Sequence, residues 1–205
     1  ALSKPAIQAL SAGAAKAGVW LNTGEGGLAP YHLEGGCDIV FQIGTAKYGV
    51  RDDDGRLSDE RLREVAAHEV VRMFELKLSQ GAKPGKGGML PAAKVSAEIA
   101  RIRGIPEGQA SLSPARHPEC SSVGELLDMI GHVREVTGKP VGFKAAISRF
   151  KWIEELCNEV NRRGPESAPD FITLDSGDGG TGDAPMPLMD NVGLLLRESL
   201  PAGGD

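Results

Sequence analysis

Three features of this 205-residue sequence predict an α/β fold, a (β/α)8 TIM barrel. Short apolar, β-branched runs alternate with helical patterns of roughly 10–15 residues, which argues for βαβ units and a parallel sheet. Unusual chemistry sits in the segments that follow those runs: NTGEGG at 22–27, QGAKPGKGG at 80–88, Lys144, and DSGDGGTG at 175–182. The turns that follow the helical patterns are plain by comparison. A barrel assembles its site from loops at the carboxyl ends of its strands, whereas an open doubly wound sheet concentrates chemistry at one switch point. The spread along every strand favours the barrel.

In chain order, 7–17 is alanine-rich and reads as a helix stopped by Gly18. Residues 19–21 form a short apolar run, read as a buried strand that opens into NTGEGG. DIVFQI at 38–43 is a strand ending at Gly44, followed by an acidic turn at 51–55. Ser58 is the N-cap of a helix over 59–72, with Leu62, Val65, Ala66 and Val70 near helical spacing. The strand at 74–78 breaks into a loop with Gly81, Gly85, Gly87 and Gly88 among Lys77, Lys83 and Lys86. A helix over 92–103 follows, ended by Gly104 and Pro106, and 107–119 reads as loop with a turn at Ser113 and Pro114. Ser122 and Glu125 have capping-box spacing, so a helix runs to 136 and stops at Gly138 and Pro140. A strand at 141–144 ends on Lys144, and a helix over 149–163 carries Phe150, Ile153, Leu156, Cys157 and Val160 on one stripe. The strand DFITL at 170–174 feeds DSGDGGTG, and a last helix covers 188–200. With no repeat and no low-complexity linker, residues 1–205 are read as one barrel domain.

Composition bounds the function. The chain is 40% hydrophobic and 25% charged, with 28 glycines, about twice the average usage, which points to many tight loops. A net charge of −5 speaks against a nucleic-acid surface or an anionic membrane as partner. No apolar run approaches the roughly 20 residues of a membrane span, and no signal peptide is evident. Cys37, Cys120 and Cys157 are odd in number and far apart, which suits a reducing compartment, the cytoplasm. His32, His68, His117 and His132 show no metal-ligand spacing and are expected on the surface or in loops.

The loop after residue 78 is a candidate anion site, since glycines admit close backbone approach and lysines supply compact charges. A helix N-terminus at Ala92 would add its dipole there; a long solvated turn is the competing reading. DSGDGGTG fails the calcium pattern, because its fifth and twelfth positions are Gly179 and Met186. It reads instead as a turn that lets a flat ligand lie against backbone. Neither glycine loop is a P-loop, and GxGxxG is missing after a strand. Lys77, Lys83 and Lys144 each stand at or just past a strand end, where an ammonium can bind a carboxylate or meet charge developing on a cofactor ring. Arg103 fits either a carboxylate clamp or a helix C-terminal charge.

These residues also carry a resemblance. FELKLSQGAKPGKGGMLP at 74–91, with KVSAEIARIRGIPEG behind it, resembles the FMN-binding domain of glutamate synthases. NTGEGG, the QIG at 42–44, the SP..H at 113–117, PVGFK and DSGDGGTGDAP occur in the same order as in that family. KPGKGGMLP, RIRGIPEG and TGKPVGFK look most like its stand-alone bacterial proteins without a fused glutaminase. The resemblance implies an FMN-binding (β/α)8 barrel that condenses 2-oxoglutarate with ammonia to 2-iminoglutarate and reduces it to L-glutamate. It implies catalytic roles for Lys83 and Glu25, and substrate contacts for Lys77, Arg103 and the position of Met89. It further implies flavin contacts for Ser3, Gln42, Lys144 and the turn Asp178, Gly179 and Gly180. Partners would be a small oxo-acid/amino-acid pair and an electron donor that the sequence does not identify.

Departures from the family pattern qualify these expectations. Classical members have glutamine at the position of Met89, and a thioether cannot replace its hydrogen bonds to the oxo-acid. The family's iron–sulphur cluster uses three cysteines downstream of DGGTG, which Cys37, Cys120 and Cys157 do not match, so no metal ligand is assigned. The sequence starts at Ala1 and ends one helix past DGGTG, so the expectation is an incomplete barrel: a piece of a longer enzyme, or one that associates with further copies of itself. Two alternatives follow, a flavin enzyme on another amine/oxo-acid pair such as methylamine and glutamate, and a non-catalytic barrel fragment.

Overall fold

The computed structural model of the chain describes residues 2–79, 87–178, 185–189 and 191–204. Local chemistry sets most element ends. Helix α1 (Lys4–Ala17) stops at Gly18, which adopts φ 67, the left-handed region that suits glycine. Strand β1 (Leu21–Asn22) leads through a loop to the short helix α2 (Pro30–Leu33) and to β2 (Ile39–Ile43). Ser58 caps α3 (Asp59–Ala66), its hydroxyl accepting from the Arg61 amide. Strand β3 (Val71–Lys77) follows, then β4 (Met89–Leu90), a 3-10 turn at Ala92–Lys94 and α4 (Ala97–Arg103), capped by Ser96. Strand β5 (Ser111–Leu112) precedes α5 (Val123–Thr137), where Ser122 Oγ accepts from Glu125 N and the Glu125 carboxylate accepts from Ser121 N. Strand β6 (Val141–Ala146), α6 (Phe150–Arg163), a 3-10 turn at Pro165–Ser167, β7 (Ile172–Asp175) and α7 (Leu196–Gly204) complete the order.

Five strands form one parallel sheet in the order β1-β2-β3-β6-β7, curled into a half-barrel. Period-2 alternation divides it into two chemical faces. Phe41, Ile43, Phe74, Leu76, Val141 and Phe143 are fully buried on the face that meets the helices. They pack with Leu62 of α3, Leu126, Ile130 and Val133 of α5 and Leu156 of α6 in one core. Phe41 meets Phe74 at 5.7 Å, and Trp152 of α6 stands edge-on to Phe143 at 5.6 Å. Each such side chain contributes about 1.5–3 kcal/mol of burial. The other, concave face carries Asn22, Gln42, Glu75, Lys77, Lys144, Thr173 and Asp175.

Several expectations need correction. The helix at 59–72 ends at Ala66, because Val71 is fully buried in β3 opposite Ile39 of β2. Tertiary pairing overrides the helical spacing of Val70. The buried strand at 19–21 shrinks to Leu21–Asn22, with Val19 and Trp20 exposed. The helix at 92–103 is broken at Val95, whose ψ of 81 is not helical, so no α-helical N-terminus stands at Ala92. Residues 107–119 are not all loop: β5 pairs antiparallel with β4, Met89 opposite Leu112. The last helix starts at Leu196 rather than at 188. On α6 the expected apolar stripe is buried mainly at Leu156, while Phe150 and Cys157 are exposed.

Candidate functional site

The polar layer on the concave face is organised by a carboxylate. Glu75 is 2% exposed. Its Oε1 accepts from Asn22 Nδ2 at 2.9 Å and from Gln42 Nε2 at 2.6 Å, and its Oε2 accepts from Thr173 Oγ1 at 2.5 Å. The residue opposite Glu75 on β6 is Gly142, where a Cβ would run into the Phe171 carbonyl oxygen, and Thr173 of β7 reaches Glu75 across that strand. One buried side chain thus ties β1, β2 and β7 to β3.

One step further along the strands lie two lysines. Lys77, the last residue of β3, and Lys144 are direct register partners; β6 runs two residues past Lys144 to Ala146, beyond the end expected from sequence. Lys77 Nζ is 3.3 Å from Glu25 Oε2, and Lys144 Nζ is 3.3 Å from Asp175 Oδ2. Glu25 reaches Lys77 because the NTGEGG turn is tied down: Asn22 Oδ1 accepts from Gly24 N at 2.8 Å, and Gln42 N donates to Thr23 Oγ1 at 3.0 Å. Gly44 clears the space beside it, since a Cβ there would lie 2.7 Å from Glu25 Cβ. This explains the glycine that follows Gln42 and Ile43.

A second group stands behind Lys77. His117 is buried, with Nε2 3.0 Å from the Lys77 carbonyl and Nδ1 without a partner among the described residues. The carbonyl only accepts, so Nε2 carries the proton. Burial pushes the His117 imidazole below its ordinary value, and Lys47 adds to that effect. Lys47 is itself buried, at φ 53, and pairs with Glu119 at 2.9 Å. Burial raises the Glu119 carboxyl, but the hydrogen bond and charge of Lys47 outweigh it and hold the group below its usual range. His32 is buried too, and burial lowers it. The expectation of surface or loop histidines therefore fails for His32, buried in α2, while His117 lies in a loop but is buried.

Of the residues singled out from sequence, the fold brings Glu25, Lys77 and Lys144 to one layer and Gln42 to the Glu75 layer one step before it. Arg103 ends α4 with its guanidinium 4.6 Å above the Tyr48 ring, and Tyr48 Oη hydrogen-bonds Ser111 Oγ of β5 at 2.7 Å. Stacking holds the planar cation in place while leaving its edge for a carboxylate. Met89 is 64% exposed on the β4–β5 ribbon. Ser3 is exposed at the start of α1, where its carbonyl accepts from Ile7 N and its side chain makes no cap. Asp178 is exposed; hydrogen bonds from Ser176 and from the Leu196 amide hold its carboxyl below the usual range. Lys83, Gly179 and Gly180 lie outside the described residues. Sequence reasoning missed Glu75, Asn22 and Thr173. The available signal was a charged residue inside the buried strand FELK, two positions before Lys77 and so on its face.

The layer suits a flavin by its donor set. Gln42 commits its NH2 to Glu75, and its carbonyl oxygen takes no hydrogen bond from the described residues. An amide oxygen and two neighbouring ammonium groups match the hydrogen-bonding edge and developing charge of such a ring. Among the described residues no group of three or more His, Cys, Asp or Glu is placed to hold a metal ion. No helix of the described residues is long and apolar enough to cross a membrane.

Comparison with known proteins agrees with the motif reading. Residues 1–203 match the family model described as the conserved region in glutamate synthase. The chain is 44% identical over 201 residues to the glutamate synthase large subunit-like protein YerD of Bacillus subtilis, covering 98% of this chain and 38% of that protein. It is 35% identical over 204 residues to an archaeal glutamate synthase (NADPH) of Archaeoglobus fulgidus, covering 98% and 36%. It is 33% identical over 202 residues to an archaeal-type glutamate synthase (NADPH) of Dehalococcoides mccartyi, covering 98% and 37%. The chain thus spans little more than a third of the length of these curated relatives.

Proposed function

The chain belongs to the glutamate synthase family, and from that membership we propose that the protein carrying it is an FMN-dependent oxidoreductase that aminates 2-oxoglutarate reductively to L-glutamate. The observation that carries the reading is the pair of strand-end lysines, each held by a carboxylate, above the buried Glu75. Gln42 and Lys144 would hold the flavin, together with Ser3 and the turn at 178–180. Arg103 and Lys77 supply cations for the two carboxylates of the oxo-acid. Ammonia adds to the C2 carbonyl and water leaves, so two protons move in turn from nitrogen to oxygen. Glu25, in contact with Lys77, and Lys83 are the groups assigned to that proton movement. FMN held there and reduced by the electron donor would supply the hydride that converts the resulting imine to the amine. The names of two relatives point to NADPH as the electron source.

The full-length protein tests this directly. It is expected to purify yellow, with flavin absorbance bands, and to form glutamate from 2-oxoglutarate and ammonium under NADPH or a chemically reduced viologen dye. Lys83→Ala should lower turnover by about a hundredfold or more, the scale of a lost proton-transfer group. A colourless protein that takes up no FMN sinks the reading.

Met89 favours one variant of it. An exposed thioether cannot make the hydrogen bonds of an amide, so a related pair such as methylamine and glutamate is the second reading. Met89→Gln should shift preference toward 2-oxoglutarate. An unchanged ratio of kcat/KM values between the two reactions counts against a substrate role for this position.

A further inference from the structure

We propose that Glu75 is the positioning residue of this site, fixing which way the amides of Asn22 and Gln42 face and thereby presenting Gln42 as a hydrogen-bond acceptor to a ligand N–H. The inference rests on the flavin reading for the identity of the ligand, while the amide orientation stands on geometry alone.

A carboxylate accepts hydrogen bonds and does not donate them. Both side-chain amides reach Glu75 through nitrogen, Asn22 at 2.9 Å and Gln42 at 2.6 Å, and they share the same oxygen. Each amide must then aim its oxygen away from Glu75. For Asn22 that oxygen accepts from the Gly24 amide at 2.8 Å, which sets the turn bearing Glu25. Glu25 in turn meets Lys77 at 3.3 Å. For Gln42 the oxygen takes no bond from the described residues and is left for a partner that donates. The second oxygen of Glu75 is held by Thr173 from β7, so the carboxylate cannot rotate to release either amide. A flavin ring offers an N–H donor of the required kind. An amide free to flip would present NH2 and O equally and would not discriminate.

Glutamine at position 75 keeps its carbonyl oxygen toward both amides and turns its NH2 to Thr173, whose hydroxyl also accepts, so E75Q retains the orientation. Leucine removes both acceptor oxygens at similar size and frees the amides to turn over. In the full-length protein E75L should weaken FMN binding by about tenfold or more, the effect of one misdirected hydrogen bond, and should shift the flavin absorbance maxima, while E75Q keeps most of the affinity and the native spectrum. A purely structural Glu75 would lower the unfolding midpoint in E75L and leave FMN affinity and spectrum of the folded protein unchanged.

A third measurement needs no flavin. The side-chain NH2 groups of Asn22 and Gln42 should exchange hydrogen slowly in the native protein and quickly for at least one of them in E75L. Native binding and spectrum in folded E75L, or an E75Q variant no better than E75L, overturns the proposal. Rapid exchange at both amides of the native protein overturns it as well. Slow exchange in a protein that binds no FMN instead removes the flavin reading and leaves Glu75 as the residue that sets Glu25 against Lys77.

Discussion

Single side chains here are decided by where burial leaves them. Cys120 is half-buried, and desolvation, reinforced by Glu119 and Glu125, pushes its thiol up to about 11. The thiolate is the reactive form, so Cys120 is inert near neutral pH. Cys157 is exposed on α6, and Cys37 is buried. Alkylation by iodoacetamide at pH 8 should therefore label Cys157 first, with Cys120 protected until the protein is denatured. Mass mapping of the modified peptides checks this, and equal labelling of both would contradict the burial. Gly44 is a second such case. A methyl group there meets the Glu25 side chain 2.7 Å away, so Gly44→Ala should push Glu25 off Lys77. The expected signature in the full-length protein is a tenfold or greater loss of kcat, the cost of a displaced proton-transfer group, with KM little changed. An unchanged kcat would argue that Glu25 does not act in the chemical step.

Helices and strands divide by how local their causes are. Ser58, Ser96 and Ser122 start α3, α4 and α5 by the same bond, hydroxyl to backbone N–H, and Gly18, Gly104 and Gly138 end α1, α4 and α5 in the left-handed region. The caps at Ser58 and Ser122 and the glycine stops were legible because cap and helix lie within four residues of each other. Strand starts were less so. Val70 fits the helical spacing of α3, yet pairing with β2 draws the next residue, Val71, into β3. The β4–β5 ribbon was invisible because its partners, Met89 and Leu112, have no alternation long enough to show a period. Its consequence for function is that Ser111 holds Tyr48 under Arg103, so the guanidinium expected to clamp a carboxylate is already oriented.

Taken together, the half-barrel buries two imidazoles whose titration is linked to folding. Burial lowers both His32 and His117, so as pH falls through about 6.5 the unfolded chain takes up protons that the folded chain does not. Stability is full above that value and declines below it. Urea midpoints should drop between pH 7 and pH 5.5, and His117→Asn should reduce the slope of that decline. A pH-independent midpoint over this interval would mean that the imidazoles protonate without unfolding. The alternation of apolar runs with helical patterns was enough to predict a parallel α/β sheet and to put Lys77 at the end of β3 and Lys144 within two residues of the end of β6. Both follow from periodicity, which a linear sequence carries in full. The partners of those residues depended on the folded chain. Glu75 draws Asn22, Gln42 and Thr173 from 53, 33 and 98 residues away, and only the register and curl of neighbouring parallel strands bring them to one carboxylate. Side-chain pairing across a sheet is a property of which strands lie side by side, and no local pattern encodes it.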